Sequence, residues 1–173
     1  SGFVYDDAET AEDRFSGEAE GYVYGRYGNP TVTMFEERLR LLEGAEACYA
    51  TASGMAAVWG ALACQTQAGD HIVASKALFG SCYQILTAIL PKFGVTSTLV
   101  DGNDLDAWRA AVRPETRVFF LETPSNPGLQ VFDIAAVAEI AEANGICVVV
   151  DNIFATPIVQ KTLPLGADVI VYS

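Results

Sequence analysis

Residues 146–156, with the sequence ICVVVDNIFAT, decide the fold of this chain. The first five residues are apolar and mostly β-branched, and such a run is typical of a central strand buried on both faces of a parallel sheet. Asp151 follows the run directly. In open α/β sheets, ligands bind beyond the carboxyl ends of such strands. The stretch alone leaves two interpretations open: Asp151 caps the turn, or its charge pairs with a ligand.

Strand and helix patterns alternate on both sides of this stretch, which predicts a parallel α/β sheet with right-handed crossovers. The predicted strands are residues 47–51, 71–74, 95–100, 117–122, 146–150 and 168–172. The predicted helices are residues 8–15, 30–43, 53–63, 81–92, 105–112 and 134–144. The chain stops inside the predicted sheet, so we expect it to be a fragment of a longer protein.

Composition narrows the classes of function. The chain has 173 residues, 51% of them hydrophobic, and a net charge of −12, which suits one sizeable core and opposes binding to a nucleic acid. No apolar run is long enough to cross a bilayer, and the N-terminus lacks a signal pattern. The four cysteines are scattered without a CxxC pair. This distribution argues against a metal site and favours reduced thiols in a cytoplasmic protein.

The first 29 residues show little sustained periodicity, and we interpret them as an arm that packs on something else, for example another subunit. Residues 1–20 carry seven acidic side chains against Arg14 alone. Residues 22–31, YVYGRYGNPT, place Arg26 among three tyrosines. A guanidinium beside hydroxyl donors suits a phosphate or a carboxylate. An arginine on the surface of a turn explains the spacing equally well.

Ser53 and Gly54 open a helix directly after a predicted strand. A helix start offers free N–H groups and the positive end of the dipole, and a glycine lets a ligand approach closely, so this turn is a candidate anion site. It matches neither the Walker motif nor the GxGxxG fingerprint, which disfavours an NTPase or a nicotinamide enzyme. A plain turn from strand to helix is the alternative.

Two more candidates follow other predicted strands. Phe79 could cover a planar ligand with its ring or belong to the core, and Asn126 projects from a loop made rigid by two prolines and a glycine. Together with Ser53–Gly54 and Asp151, they make four positions after the carboxyl ends of different strands. This agreement predicts a ligand site at that edge of the sheet.

Five stretches carry a resemblance to a known family. In chain order they are YGRYGNPT, ATASGMAA, ETPSNP, VDNIFATP and DVIVYS. With them, the chain resembles the pyridoxal-phosphate enzymes of transsulfuration and methionine biosynthesis, which include cystathionine synthases and lyases, methionine γ-lyase and homoserine-ester sulfhydrylases. The stretches LFGSCYQIL and FVYDDAETAEDRFSG are most similar to the subgroup of O-succinylhomoserine sulfhydrylases.

The resemblance implies a three-layer α/β fold with a mostly parallel sheet. This fold is the large domain of fold-type I (aspartate aminotransferase-like) enzymes that depend on pyridoxal 5′-phosphate (PLP), here truncated and preceded by an N-terminal arm. Residues 1–44 would form the arm and the first helix and contact a neighbouring subunit. Residues 45–173 would form the first part of the PLP-binding domain. The implied assembly is a homotetramer, a dimer of dimers with shared active sites.

The resemblance also implies roles for single residues on the cofactor. Asp151 would pair with the pyridine nitrogen of PLP. Gly54 and Met55, in the turn that Ser53 opens, would offer backbone N–H groups to the phosphate. Ser173 would add a hydroxyl to the same group.

Four further roles follow from the same resemblance. Tyr24 and Arg26 would reach the phosphate held by a neighbouring subunit. Asn126 would bond near the phenolic oxygen of the cofactor or the substrate carboxylate. Phe79 takes the position over the ring where most of the family has tyrosine, so a ring hydroxyl cannot transfer protons there, and the succinyl-ester sulfhydrylases share this departure.

A second departure concerns the C-terminal end of the chain. The Schiff-base lysine of the family follows shortly after the serine matched by Ser173, and the C-terminal domain supplies the arginine for the substrate carboxylate. Lys76, Lys92 and Lys161 do not match that lysine. We expect the native sequence to continue with a lysine within a few residues of Ser173.

The implied reaction is γ-replacement in methionine biosynthesis, in which O-succinylhomoserine and sulfide give homocysteine and succinate. The partners would be a small amino-acid ester and sulfide, with neither nucleic acid nor membrane, in the cytoplasm. Cystathionine γ-synthase, O-acetylhomoserine sulfhydrylase and methionine γ-lyase activities remain open. The alternative from another class is a non-catalytic α/β fragment that acts as an assembly module.

Overall fold

The computed structural model describes residues 2–173 and divides the chain into two compact units, one ending at Ala50 and one from Thr51 to Ser173. The sequence predicted a domain boundary between residues 44 and 45. No helix in the described range is both long and apolar enough to cross a membrane.

The second unit is built on a five-stranded parallel sheet with the order β2-β1-β3-β4-β5. The strands are β1 (His71–Ser75), β2 (Thr96–Val100), β3 (Thr116–Glu122), β4 (Cys147–Asp151) and β5 (Val169–Val171). The apolar stretch at residues 146–150 therefore forms most of β4, which lies between β3 and β5. The predicted fold class, a parallel α/β sheet, is confirmed.

Alternating residues of the strands feed two separate cores, as the period of two in a strand requires. On one face, Val148 and Val150 of β4 pack in a cluster with Trp108. On the other face, Val149 packs in a cluster with Val58 and other helix residues. Both faces of the sheet are thus covered, which gives the three layers that the resemblance implied.

Of the α-helices in the described range, two lie in the first unit, one precedes β1 in the second unit, and the others lie between the strands. They are α1 (Ala8–Ser16), α2 (Pro30–Glu43), α3 (Gly54–Ala63), α4 (Gly80–Gln84), α5 (Leu105–Ala111), α6 (Ile134–Glu142) and α7 (Thr156–Val159). Helices α3, α5 and α6 begin after Ser53, Asp104 and Asp133, whose side chains each accept a backbone N–H of the first turn. These caps fix where the chain enters α3, and where it re-enters a helix after β2 and β3.

The predicted strand at residues 47–51 was wrong. These residues contain no strand in the structure, and the N–H group of Ala50 donates to Glu36 Oε1 at 2.7 Å instead of to a neighbouring strand. A strand needs a ladder partner, which a short apolar run cannot reveal on its own. The sheet therefore has five strands rather than the six predicted.

The predicted helix at residues 81–92 is only partly regular. After α4, the chain forms a π-helix at Ile85–Ile89 and a 3₁₀ turn at Leu90–Phe93. Pro91 has no N–H group to donate, so a regular α-helix cannot continue through it. Tyr83 was predicted to face inward, but 46% of its surface is exposed.

The first unit contains α1, α2 and an isolated antiparallel bridge between Gly2 and Tyr24. Asn29 caps α2 by accepting the N–H groups of Thr31 and Val32. The apolar face predicted for this helix remains largely uncovered. Its Phe35 side chain, for example, is 57% exposed.

Candidate functional site

A cavity of about 230 Å³ opens beside the carboxyl ends of the strands in the second unit. Its lining residues come from both loops and helices of that unit. They are Gly54, Met55, Val58, Phe79, Cys82, Glu122, Asn126, Asp151, Ile153, Phe154, Tyr172 and Ser173. Six residues that the sequence singled out (Gly54, Met55, Phe79, Asn126, Asp151 and Ser173) are thus brought to one place.

Asp151 is the last residue of β4 and is 8% exposed. Its Oδ1 accepts the N–H group of Ile153 at 3.2 Å. Burial raises the pKa of its carboxyl group, while the bond from Ile153 lowers it. A carboxylate in such a position is stabilised by a cationic partner, and the cavity gives a ligand access to it.

The start of α3 forms another part of the wall. Ser53 Oγ accepts the N–H group of Ala56 at 3.2 Å, which leaves the N–H groups of Gly54 and Met55 in the first turn, where a helix provides no acceptor. A Cβ atom on Gly54 would lie 2.6 Å from Ser173 Oγ. Glycine is therefore required for the end of the chain to approach the helix. The arrangement places N–H groups and a hydroxyl together, as an anion site needs.

Phe79 and Asn126 lie in the loops that follow β1 and β3. The ring of Phe79 is 42% exposed, and Asn126 is half-buried. The backbone N–H groups of Phe79 and Asn126 both donate to the carboxylate of Glu122, and the bond from Asn126 measures 3.1 Å. Phe79 is thus a loop residue beside the cavity rather than part of either core cluster.

Glu122 is the residue of this site that the sequence reasoning missed. It ends β3, is 1% exposed, and stands opposite Asp151 in the register of the neighbouring strand. Burial raises the pKa of its carboxyl group to about 7, with a further rise from the charge of Asp151, while the N–H bonds from Phe79 and Asn126 lower it. The signal was present, because an acid ends a buried apolar run here just as Asp151 does.

A polar network supports the other side of the cavity. Asn152 Nδ2 donates to the hydroxyl of Tyr172 at 2.7 Å and to the carbonyl of Gln160 at 2.9 Å. Gln160 Nε2 in turn donates to Asn152 Oδ1 at 2.8 Å. The network orients the residues that follow Asp151 and those that precede Ser173. Nothing in the sequence pattern singled it out, because its members lie 8 and 20 positions apart and belong to no common motif.

Tyr24 and Arg26 belong to the first unit. The guanidinium carbon of Arg26 lies 5.6 Å from the ring centroid of Tyr24 and 5.0 Å from that of Tyr27. Its Nη2 donates to the Tyr27 hydroxyl at 3.3 Å. Tyr24 is 41% exposed, so both rings and the cation are presented at the surface of this chain. Their assignment to a cofactor stays a prediction.

Comparison with known proteins identifies the family. The sequence pattern of the Cys/Met metabolism PLP-dependent enzymes matches residues 1–173. O-succinylhomoserine sulfhydrylase of Mycobacterium tuberculosis is 56% identical over 173 residues, which are 100% of this chain and 43% of that protein. L-methionine gamma-lyase of Porphyromonas gingivalis is 46% identical over 174 residues, with 100% of this chain and 44% of that protein covered.

A solved structure agrees with these matches. Cystathionine gamma-lyase from Lactobacillus plantarum, complexed with L-serine, superposes with a TM-score of 0.89 at 39% identity. The superposition covers 100% of this chain and 43% of that chain. The chain therefore spans less than half the length of the relatives it matches.

The chain belongs to the Cys/Met metabolism family of PLP-dependent enzymes. The predicted family and the predicted cofactor, pyridoxal phosphate, are confirmed. The residues around the cavity fit this cofactor: a buried carboxylate for a ring nitrogen, a helix start for a phosphate, and an aromatic side chain for a ring face.

Proposed function

We propose that this member of the Cys/Met metabolism PLP-dependent enzyme family is part of an enzyme that replaces the succinate of O-succinylhomoserine by sulfide, giving homocysteine. The observation that carries the proposal is the buried carboxylate of Asp151 in a cavity that also holds the start of α3. The specific substrate is supported by the 56% identity to the mycobacterial O-succinylhomoserine sulfhydrylase.

Asp151 would keep a proton on the pyridine nitrogen of the cofactor. When bound, PLP supplies an electron sink for a carbanion at the Cα atom of an amino acid. A negative charge in a low-dielectric site favours the protonated form of a facing nitrogen. The raised pKa of Asp151 in the described chain is lowered by such a positive partner, so the carboxylate and the ring nitrogen would stabilise each other.

Ser53, Gly54, Met55 and Ser173 would hold the cofactor phosphate. The N–H groups of Gly54 and Met55 belong to the first turn of α3, and Ser173 packs against Gly54. Ser53 caps this turn through Ala56 and so fixes the direction of the free donors. These residues would anchor the phosphate end of PLP, while Asp151 would hold the ring.

Phe79 and Asn126 would orient the ring and the substrate. The exposed ring of Phe79 borders the cavity and would cover one face of the cofactor. Asn126 would donate from its amide near the phenolic oxygen or the substrate carboxylate. Because a phenyl ring has no hydroxyl, Phe79 can exclude water and position the ring but cannot move a proton.

Tyr24 and Arg26 would complete the site of a neighbouring subunit in a homotetramer with shared active sites. Support comes from the first unit, in which Arg26 lies exposed between two tyrosine rings and the apolar face of α2 is largely uncovered.

Mixing inactive Arg26→Ala and Asp151→Asn subunits tests whether the active sites are shared. If the sites are shared, random dimers recover about a quarter of the wild-type activity. If each site uses one subunit only, the mixture stays inactive.

A second candidate activity is γ-elimination from methionine. It is favoured by the L-methionine gamma-lyase relative, which is 46% identical over the whole of this chain. Release of homocysteine from O-succinylhomoserine and sulfide supports the first proposal. Release of ammonia and 2-oxobutanoate from methionine supports the second.

The experiment that tests the main proposal uses the full-length enzyme and its Asp151→Asn variant. The amide keeps the size of the side chain but lacks the charge, so we expect the variant to fold and bind PLP while losing most of its turnover of O-succinylhomoserine. Asp168→Asn is the matched control, because Asp168 is an exposed acid whose Oδ2 accepts the N–H group of Val148 outside the cavity lining. Normal turnover by Asp151→Asn would contradict the proposal.

A further inference from the structure

We infer that Glu122 is a positioning residue, whose single carboxylate fixes the two loops that carry Phe79 and Asn126. This inference deepens the proposed function, because it assigns to one buried side chain the geometry of the walls around the cofactor. Glu122 is 1% exposed and borders the cavity. A fully buried acid at such a place needs donors, and both of its oxygens have them.

The two oxygens of Glu122 bind different loops. Oε2 accepts the N–H group of Phe79 in the loop that follows β1. Oε1 accepts the N–H group of Asn126, in the loop that follows β3, at 3.1 Å. The residues lie 43 and 4 positions away along the chain. One side chain therefore bridges two loops of adjacent strands, and displacement of either loop breaks a bond to the same carboxylate.

The chemistry of the link requires a carboxylate. An ionised carboxylate accepts at both oxygens, whereas a glutamine amide accepts at one end only and turns a donor toward the second N–H group. A methionine of similar length accepts at neither end. Bonds to a charged group are the stronger class of hydrogen bond, and a buried donor without a partner is costly. Loss of either acceptor should therefore release the loop that it held.

The neighbours of Glu122 make its ionisation sensitive to a charge in the cavity. Asp151 stands opposite it in register, and the thiol of Cys82 also borders the cavity. Burial raises the pKa of Glu122 to about 7 and that of Cys82 to about 12, and it also raises the pKa of Asp151. A positive ring nitrogen beside Asp151 would reduce the repulsion between the two acids and strengthen the ionised form that holds both loops.

The test uses the full-length enzyme with Glu122→Gln and Glu122→Met. Glu139, an exposed acid on α6, gives matched controls in Glu139→Gln and Glu139→Met. We expect the dissociation constant for PLP, measured by equilibrium dialysis, to rise roughly tenfold in Glu122→Gln and roughly a hundredfold in Glu122→Met. The Glu139 variants should stay at the wild-type value.

Two readouts separate positioning from simple stabilisation. Hydrogen exchange should speed up at the amides of Phe79 and Asn126, and the visible circular dichroism per bound PLP should change, because both loops border the ring site. If thermal melting shifts but the dissociation constant, the dichroism and these two amides do not, Glu122 is only structural and the inference is overturned. Should Glu122→Met fail to fold, Glu122→Gln carries the test alone.

Failure of the positioning role of Glu122 can be distinguished from failure of the proposed function. If the wild type binds PLP but does not convert O-succinylhomoserine, the substrate assignment fails, and the binding and exchange measurements still decide the role of Glu122. If the Glu122 variants bind PLP like the wild type and also keep its exchange rates, the positioning role fails while the proposed reaction stands.

Discussion

The two units of this chain use the same local devices to make helices, yet they differ in what those helices bury. In the second unit, α6 buries five residues against the sheet. In the first unit, no apolar side chain among residues 2–50 is buried, although large ones such as Met34, Leu41 and Tyr49 are present. Local caps and helix propensity thus form a helix in either unit, but only the second unit has a core of its own.

This difference has a direct meaning for function. The second unit holds the cavity with its buried acids, which need a rigid surrounding. The first unit exposes apolar surface of a kind that marks sites of interaction with other proteins. We therefore expect the first unit to become stable through association and the second to hold the chemistry.

The largest expected effect comes from truncation of the core. Phe120 is 0% exposed and Phe35 is 57% exposed. Phe120→Ala should lower the free energy of unfolding of the full-length protein by about 3–5 kcal/mol, because it leaves a cavity between the sheet and its helices. Denaturation in urea measures this.

Phe35→Ala is the matched change in the first unit. In dilute, dissociated protein it should alter the free energy of unfolding by only about 0.5 kcal/mol. Its effect should appear in the subunit dissociation constant, measured by analytical ultracentrifugation. Equal destabilisation by both substitutions in dilute protein would break the contrast between the units.

The next effect is a dependence of stability on pH. In the first unit, N–H and guanidinium bonds lower the pKa values of Asp7 and Glu37, whereas in the second unit burial raises the pKa of Glu122 from 4.5 to about 7. A raised pKa means that the folded state holds the proton more tightly. The contribution of Glu122 is therefore fully present below pH 4.5 and is lost as the pH rises through 7.

Glu122→Gln isolates this contribution, because it removes the titrating group. In cofactor-free protein, the wild type should lose up to about 3 kcal/mol more than the variant between pH 4.5 and 8. Urea denaturation at several pH values measures the difference. Parallel curves for the two proteins would show that the carboxyl group of Glu122 titrates as it does in the unfolded chain.

The sequence predicted most of the fold because buried strands and capped helices are local patterns. The β4 run and the cap at Asp133 are complete within a few residues. The strand predicted at residues 47–51 failed because pairing depends on a partner elsewhere in the chain. The irregular segment after α4 was missed because Pro91 acts on bonds with residues one turn away.

The candidate site was predictable only in part, because some of its residues depend on contacts with other parts of the chain. Asp151 ends β4, and Phe79 and Asn126 follow β1 and β3, so the topology of the sheet brings these three residues together. Gly54 was found instead from the helix start that it forms with Ser53, because no strand precedes it among residues 2–53. Glu122 ends a buried apolar run as Asp151 does, but that run does not show the two bonds to loops that give the residue its role. The network of Asn152 and Gln160 depends likewise on how the chain folds back on itself, since the two residues lie 8 positions apart.

A smaller effect is expected from two glycines of α3. A Cβ atom on Gly54 would collide with Ser173, whereas one on Gly60 would meet nothing within 4 Å. Gly54→Ala should weaken PLP binding roughly tenfold or more, since it displaces a hydroxyl from the anion site. Gly60→Ala should leave binding unchanged and stabilise the helix by about 0.5–1 kcal/mol. Equilibrium dialysis and thermal melting measure both, and equal PLP affinity of the two variants would contradict the assignment of this turn.

The smallest expected effect comes from replacing the residues that cap a helix in each unit. Asn29 caps α2 by accepting two N–H groups of the first turn, and Asp133 caps α6 by accepting one. Replacement of either by alanine should cost about 1 kcal/mol. In Asp133→Ala this should appear in global unfolding, whereas in Asn29→Ala it should appear as faster hydrogen exchange within α2. Identical effects on global unfolding would show that the first unit unfolds together with the second.

The central claim is that Asp151 holds a proton on the ring nitrogen of PLP. It is tested by ¹⁵N magnetic resonance of the full-length enzyme loaded with PLP labelled at that nitrogen. The account predicts the chemical shift of a protonated nitrogen in the wild type at pH 8, and of an unprotonated nitrogen in Asp151→Asn. An unprotonated nitrogen in the wild type, or a protonated one in both proteins, would contradict it.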